Sequence, residues 1–131
     1  MAGIISYGVH VPRYRIKLTE IADAWQKDGL EISSALKVTE KSVPNIDEDA
    51  VTLGVEAAFR ALQTGDLDAT QLQSVFVGSE SHPYAVNPTS SIIAEMLGVG
   101  NDYFAADLEF ACKAATAGFG VTCGLVDGGK V

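Results

Sequence analysis

The period at which apolar residues recur changes along the chain, and each change marks an element. Gly3 to Val11 carries Ile4, Ile5, Tyr7, Val9 and Val11, whose β-branched and aromatic bulk predicts a first strand ended by Pro12. From Leu18 to Trp25 the apolar Leu18, Ile21, Ala22 and Trp25 fall at helical spacing, with Glu20 and Asp23 opposite and Thr19 as the expected cap. A loop holding Asp28 and Gly29 follows, and Glu40 to Asn45, interrupted by Pro44, is expected to be irregular. Asp47, Glu48 and Asp49 put negative charge where a helix N-terminus favours it, so Ala50 to Leu62 reads as a helix ended by Gly65.

Beyond Gly65 strands and helices alternate. Ser74 to Gly78 is a short apolar strand of the kind expected when both faces are covered. Asn87-Pro88-Thr89 opens a helix that runs to Leu97 and is closed by Gly98. Tyr103 to Leu108 forms the next strand, and Cys112 opens the helix that begins Lys113, Ala114, Ala115, Thr116, Ala117. This alternation predicts an α/β layered fold with at least part of its sheet parallel.

Composition narrows the function classes. The 131 residues, 47% of them hydrophobic, suffice for one core and one domain. A formal charge of −8, from 17 acidic against 9 basic residues, argues against a nucleic-acid backbone or an anionic membrane as partner. Met1 to Val11 lacks the basic start and long apolar core of a signal peptide, and no apolar run approaches a membrane span, so a cytoplasmic location is expected. Cys112 and Cys123, placed on one helix, stand about 16 Å apart at about 1.5 Å per residue and are expected to remain free. Val126 to Val131 reads as a helix exit leading towards a further strand, so the chain is expected to be truncated within a larger fold.

Two residues carry candidate chemistry. A thiol at a helix start, such as Cys112, faces unpaired backbone N–H groups that stabilise negative charge, the setting of a nucleophilic cysteine rather than only of a buried structural thiol. Glu80 follows the strand ending at Gly78, and in parallel sheets the carboxyl ends of strands line the ligand crevice, where a carboxylate is placed to act as acid or base. The competing reading of Glu80 is a solvated loop residue. His82, before Pro83, and His10, near Pro12, are expected to be structural or surface histidines, and Asp107 to cap the turn after its strand. Two histidines and two separated cysteines leave no metal-site spacing, and the acidic cluster Asp47 to Asp49 already has a dipole explanation, so no metal is expected. Gly118, Gly120 and Gly124 lie inside a helix rather than after a strand, which rules out a dinucleotide fingerprint and predicts close packing of that helix.

Several segments together resemble a known family. Ile4-Ile5-Ser6-Tyr7-Gly8 with Val11-Pro12-Arg13-Tyr14-Arg15-Ile16, Glu40-Lys41-Ser42-Val43-Pro44 with Asp47-Glu48-Asp49, Val77-Gly78-Ser79-Glu80-Ser81-His82-Pro83-Tyr84-Ala85, and Ala106-Asp107-Leu108-Glu109-Phe110-Ala111-Cys112-Lys113-Ala114 are similar, in order, to hydroxymethylglutaryl-CoA synthase of the archaeal type. The resemblance implies a thiolase-like fold of αβαβα layers made of two similar α/β halves, with residues 1–131 as most of the first half. It implies an acyltransferase in which Cys112 takes acetyl from acetyl-CoA as a thioester. Glu80 then removes a methyl proton, and the resulting nucleophile attacks acetoacetyl-CoA, after which water releases 3-hydroxy-3-methylglutaryl-CoA, an intermediate of the mevalonate route to isoprenoids. Asp28 falls in a family region near the CoA-bearing channel and is carried over as a substrate-binding residue.

No cofactor is implied beyond the two CoA thioester substrates. The family also needs a histidine that no position here matches, so the chain alone is expected to be inactive. Implied partners are a second copy of the chain, an acetoacetyl-CoA thiolase and a small zinc-containing scaffold protein. The alternatives are a ketoacyl-carrier-protein synthase of the initiating type, which is not expected to carry a glutamate at position 80, and a non-catalytic thiolase-fold docking module.

Overall fold

The first regular pairing in the chain falls where the sequence predicts an irregular stretch. In the computed structural model, which describes residues 1–131, β1 (Tyr14–Lys17) pairs antiparallel with β2 (Glu40–Val43), Tyr14 opposite Val43 and Lys17 opposite Glu40. Glu40 is held across the pair by Arg15, whose Nε lies 3.5 Å from its carboxylate. Between these strands lie α1 (Leu18–Ala24) and α2 (Gly29–Leu36). Lys17, not Thr19, occupies the N-cap of α1, because the strand runs directly into the helix. Trp25 ends α1 with its side chain exposed rather than extending the apolar face. Asp28 and Gly29 are not a loop: the Asp28 carboxylate accepts from the amides of Leu30 and Glu31 at 2.9 and 3.0 Å and starts α2. These elements make up one compact unit, Val11–Glu48.

The other unit joins Met1–His10 to Asp49–Val131. Its first helix, α3 (Ala50–Gly65), starts in a capping box in which Asp49 and Thr52 each bond the other's backbone amide. Gly65 is the last helical residue, and Asp66, in left-handed backbone at φ 50°, makes the cap. The strand predicted at Gly3–Val11 does not form. Its bulky side chains favour extended backbone, but a strand needs a ladder partner, and this segment lies along α3, with Ser6 Oγ donating to the Ala61 carbonyl and Arg60 to the Val9 carbonyl.

The centre of this unit is β3 (Ser74–Gly78) paired parallel with β4 (Phe104–Leu108), in the register Ser74 opposite Phe104 to Gly78 opposite Leu108. Helices α4 (Thr89–Leu97) and α5 (Ala114–Asp127) take opposite faces of the pair. Strand alternation sends Val77 towards the core of Val51, Val55 and Ile93 built by α3 and α4. Phe76 and Leu108 point the other way, and the Phe76 and Phe104 rings meet on that side at 5.6 Å. Close packing of α5 holds at Gly118, where a Cβ would meet the Leu108 side chain at 2.9 Å, but not at Gly120 or Gly124, which face open space. No helix is long and apolar enough to cross a membrane.

Candidate active site

The register of β3 on β4 brings two loops to the same end of the sheet. Ladder bonding continues past Gly78 with the Ser79 amide donating to the Leu108 carbonyl at 3.1 Å. The chain then turns, closed by the Ser81 amide on Ser79 Oγ at 3.1 Å, with Glu80 at the turn and exposed. On the neighbouring strand four residues separate Leu108 from Lys113, the N-cap of α5. Cys112 therefore precedes α5 instead of opening it. The residue before it, Ala111, adopts left-handed backbone at φ 44°, and Lys113 and Ala114 bond back to the carbonyls of Phe110 and Ala111, which tightens the turn.

Cys112 is exposed at this turn, and Lys113 Nζ stands 5.2 Å from the centre of the Phe110 ring. No side chain caps α5, and its first amide, that of Ala114, is taken by the Ala111 carbonyl, so the positive end of the helix dipole is what faces a group attached to Cys112. Approach of the two loops depends on Gly78. A Cβ there would lie 2.3 Å from the Ala115 amide nitrogen and 2.5 Å from the Ala114 carbonyl carbon, so only glycine lets the start of α5 rest on the end of β3. An exposed thiol and an exposed carboxylate on adjacent parallel strand ends form an arrangement suited to acyl transfer followed by proton abstraction.

Sequence reasoning missed the buried polar cluster behind these loops. Asp107 does not cap the turn after its own strand; its carboxylate accepts from the amides of Thr89 and Ser90 at 2.6 and 2.8 Å and so caps α4. His82 lies against it, the side chain only 3% exposed, with Nδ1 2.9 Å from Thr89 Oγ1 and 3.5 Å from Asp107 Oδ2. Burial pushes the Asp107 pKa up, but the bonds from Ser90 and Thr89 and the charge of His82 outweigh it, and the net shift is downward. The available signal was a carboxylate at a strand end and a histidine in the next loop, which only the fold brings together.

Asp28 lies in the Val11–Glu48 unit, where capping α2 engages its carboxylate. Cys123 is half-buried, lines an apolar cavity of about 420 Å³ beside Phe119 and Thr122, and is free, as is Cys112. No group of three histidine, cysteine or acidic side chains comes together to hold a metal ion.

No family model matches the chain. Its sequence is 55% identical over all 131 residues to the hydroxymethylglutaryl-CoA synthase of Archaeoglobus fulgidus and 53% identical to that of Methanocaldococcus jannaschii. It spans 38% of the length of each. A structure of MvaS in complex with 3-hydroxy-3-methylglutaryl coenzyme A superposes on 97% of the chain with a TM-score of 0.86 at 26% identity, the match covering 30% of that protein. The 3-oxoacyl-[acyl-carrier-protein] synthase III of Aquifex aeolicus matches 97% of the chain at a TM-score of 0.87, with 18% identity and 41% of its own length covered. The fold is that of the thiolase-like condensing enzymes.

Proposed function

The chain belongs to the hydroxymethylglutaryl-CoA synthase family, and on that premise we propose that it supplies the acetyl-accepting part of such an enzyme's active site. Cys112 attacks the carbonyl of acetyl-CoA, and CoA leaves as its thiol, so one thioester is exchanged for another. Glu80 takes a proton from the methyl group of acetyl-Cys112, whose acidity the thioester raises. The carbanion formed adds to the ketone of acetoacetyl-CoA, the alkoxide takes a proton, and water cleaves the bond to Cys112 to release 3-hydroxy-3-methylglutaryl-CoA. The positive end of α5, which no side chain caps, stabilises the enolate oxygen.

The observation that carries this reading is the parallel register Gly78 opposite Leu108, which sets the loop of Glu80 beside the turn of Cys112. Further support comes from the relatives' names and from the HMG-CoA complex of MvaS, at 26% identity. Asp28 contacts the CoA moiety only if its cap on α2 can be shared, and we assign it that part as a proposal. The initiating carrier-protein synthases share the fold, but the glutamate at position 80 favours the CoA-dependent reaction.

Self-association, and docking on an acetoacetyl-CoA thiolase and a zinc-containing scaffold protein, extend the same proposal. The experiment is acetyl-CoA-dependent consumption of acetoacetyl-CoA by the full-length protein. Cys112→Ala is expected to abolish it, and Glu80→Gln to slow it by about 10²- to 10⁴-fold while the cysteine still becomes acetylated. Unchanged turnover in both variants would overturn the reading.

A further inference from the structure

The loop from Ser79 to Pro88 has no regular structure, and from Pro83 to Pro88 every residue is exposed. Only His82 drives its side chain into the protein, and it does so two residues after Glu80. Its Nδ1 reaches Thr89 Oγ1 and the Asp107 carboxylate, and that carboxylate also holds the amides of Thr89 and Ser90, both fully buried. Nδ1 faces these two oxygens, and the other ring nitrogen, Nε2, is buried with no hydrogen-bond partner. Such an unmet buried group costs stability. Side-chain packing alone gives no reason for a histidine there, whereas a fixed connection between the loop, the start of α4 and the end of β4 does.

We propose that His82 is a positioning residue: through Asp107 and Thr89 it fixes the loop that carries Glu80, and so sets the approach of the Glu80 carboxylate to an acyl group on Cys112. This rests on the reading of Glu80 as the base. His82 touches no reacting atom. Its contribution is orientation, and a displacement of about 1 Å at a reacting group costs on the order of 10²-fold in rate. The inference therefore separates two steps: acyl transfer to Cys112 does not need the loop, and removal of the methyl proton does.

Both steps can be followed in the full-length protein given acetyl-CoA in deuterated water. Acetylation of Cys112 is read by peptide mass, and proton removal by deuterium entering the acetyl methyl group. His82→Phe keeps the ring and removes the Nδ1 bond, while His82→Asn keeps a polar atom at the Nδ1 position. The expected result is acetylation within about twofold of the parent in both, deuterium entry slowed by roughly tenfold or more in His82→Phe, and substantial recovery in His82→Asn.

Deuterium entry at the parent rate in His82→Phe, with entry lost in Glu80→Gln, would overturn the positioning role and leave the function standing. Acetylation and deuterium entry falling together, with a lowered unfolding midpoint and no recovery in His82→Asn, would make His82 merely structural. Deuterium entry unaffected by Glu80→Gln would overturn the underlying reading of Glu80 and the positioning role with it.

Discussion

Gly78 lies so close to the backbone of Ala115 that a Cβ on it would stand 2.3 Å from the Ala115 amide nitrogen. Backbone on one side and a paired strand on the other leave no flexible side chain to yield. Gly78→Ala must therefore push α5 away from β3 and carry Cys112 with it. Overpacking of this kind costs about 1–3 kcal/mol, and urea unfolding is expected to show a loss in that range together with slower acylation of Cys112. A variant of undiminished stability would mean that the contact is looser in solution.

Asp107 links stability to pH. Its carboxyl titrates below the ordinary 3.8 because, although burial raises its pKa, the bonds from Ser90 and Thr89 lower it further. A depressed folded-state pKa contributes stability above the unfolded value and loses it as pH falls through the folded value. Asp107→Asn is expected to lower stability by about 1–2 kcal/mol near neutral pH. The gap between the two proteins should then close as the solution is taken below pH 3.8. Thermal unfolding at a series of pH values checks this, and a gap that stays constant into acid would refute it.

Ala111 holds positive φ one residue before the candidate nucleophile. Left-handed backbone costs an L-residue roughly 1–2 kcal/mol, and glycine gives back about 0.4–1 kcal/mol through the entropy of the unfolded chain. Ala111→Gly should thus raise stability by up to about 1 kcal/mol, with the freer turn acylating more slowly. A stability decrease in denaturant titration would show that the strain is not there to be relieved.

The two thiols differ in access, Cys112 being exposed and Cys123 half-buried at the apolar cavity. Iodoacetamide is expected to modify Cys112 well before Cys123, as mapped by peptide mass during a time course. Equal rates would contradict the packing of α5 against the segment Ala2–Ser6, which lines the same cavity.

Legibility in the sequence followed how local the causes are. β3, α4 and β4 were readable to within a residue, because apolar runs there are bounded by Pro88 and Gly98, whose backbone preferences act on the spot. The strand expected at Gly3–Val11 was not, since propensity cannot supply a ladder partner. β2 escaped because Glu40, Lys41 and Ser42 are polar and a two-stranded ribbon needs little apolar signal. α2 escaped because an aspartate before a glycine reads as a turn as readily as a cap. In the candidate site, Cys112 and Glu80 were visible as strand-end residues, whereas the His82, Thr89 and Asp107 cluster exists only once β3, β4 and α4 have come together.

The central claim is that Cys112 is the acetyl acceptor. Mass spectrometry of the protein after incubation with acetyl-CoA, with Cys112→Ala and Cys123→Ala in parallel, tests it directly. One acetyl group on the parent and on Cys123→Ala, located on the peptide of Cys112 and missing from Cys112→Ala, is the predicted result. An adduct that survives in Cys112→Ala, or a full-length protein that takes up no acetyl group, would contradict the claim.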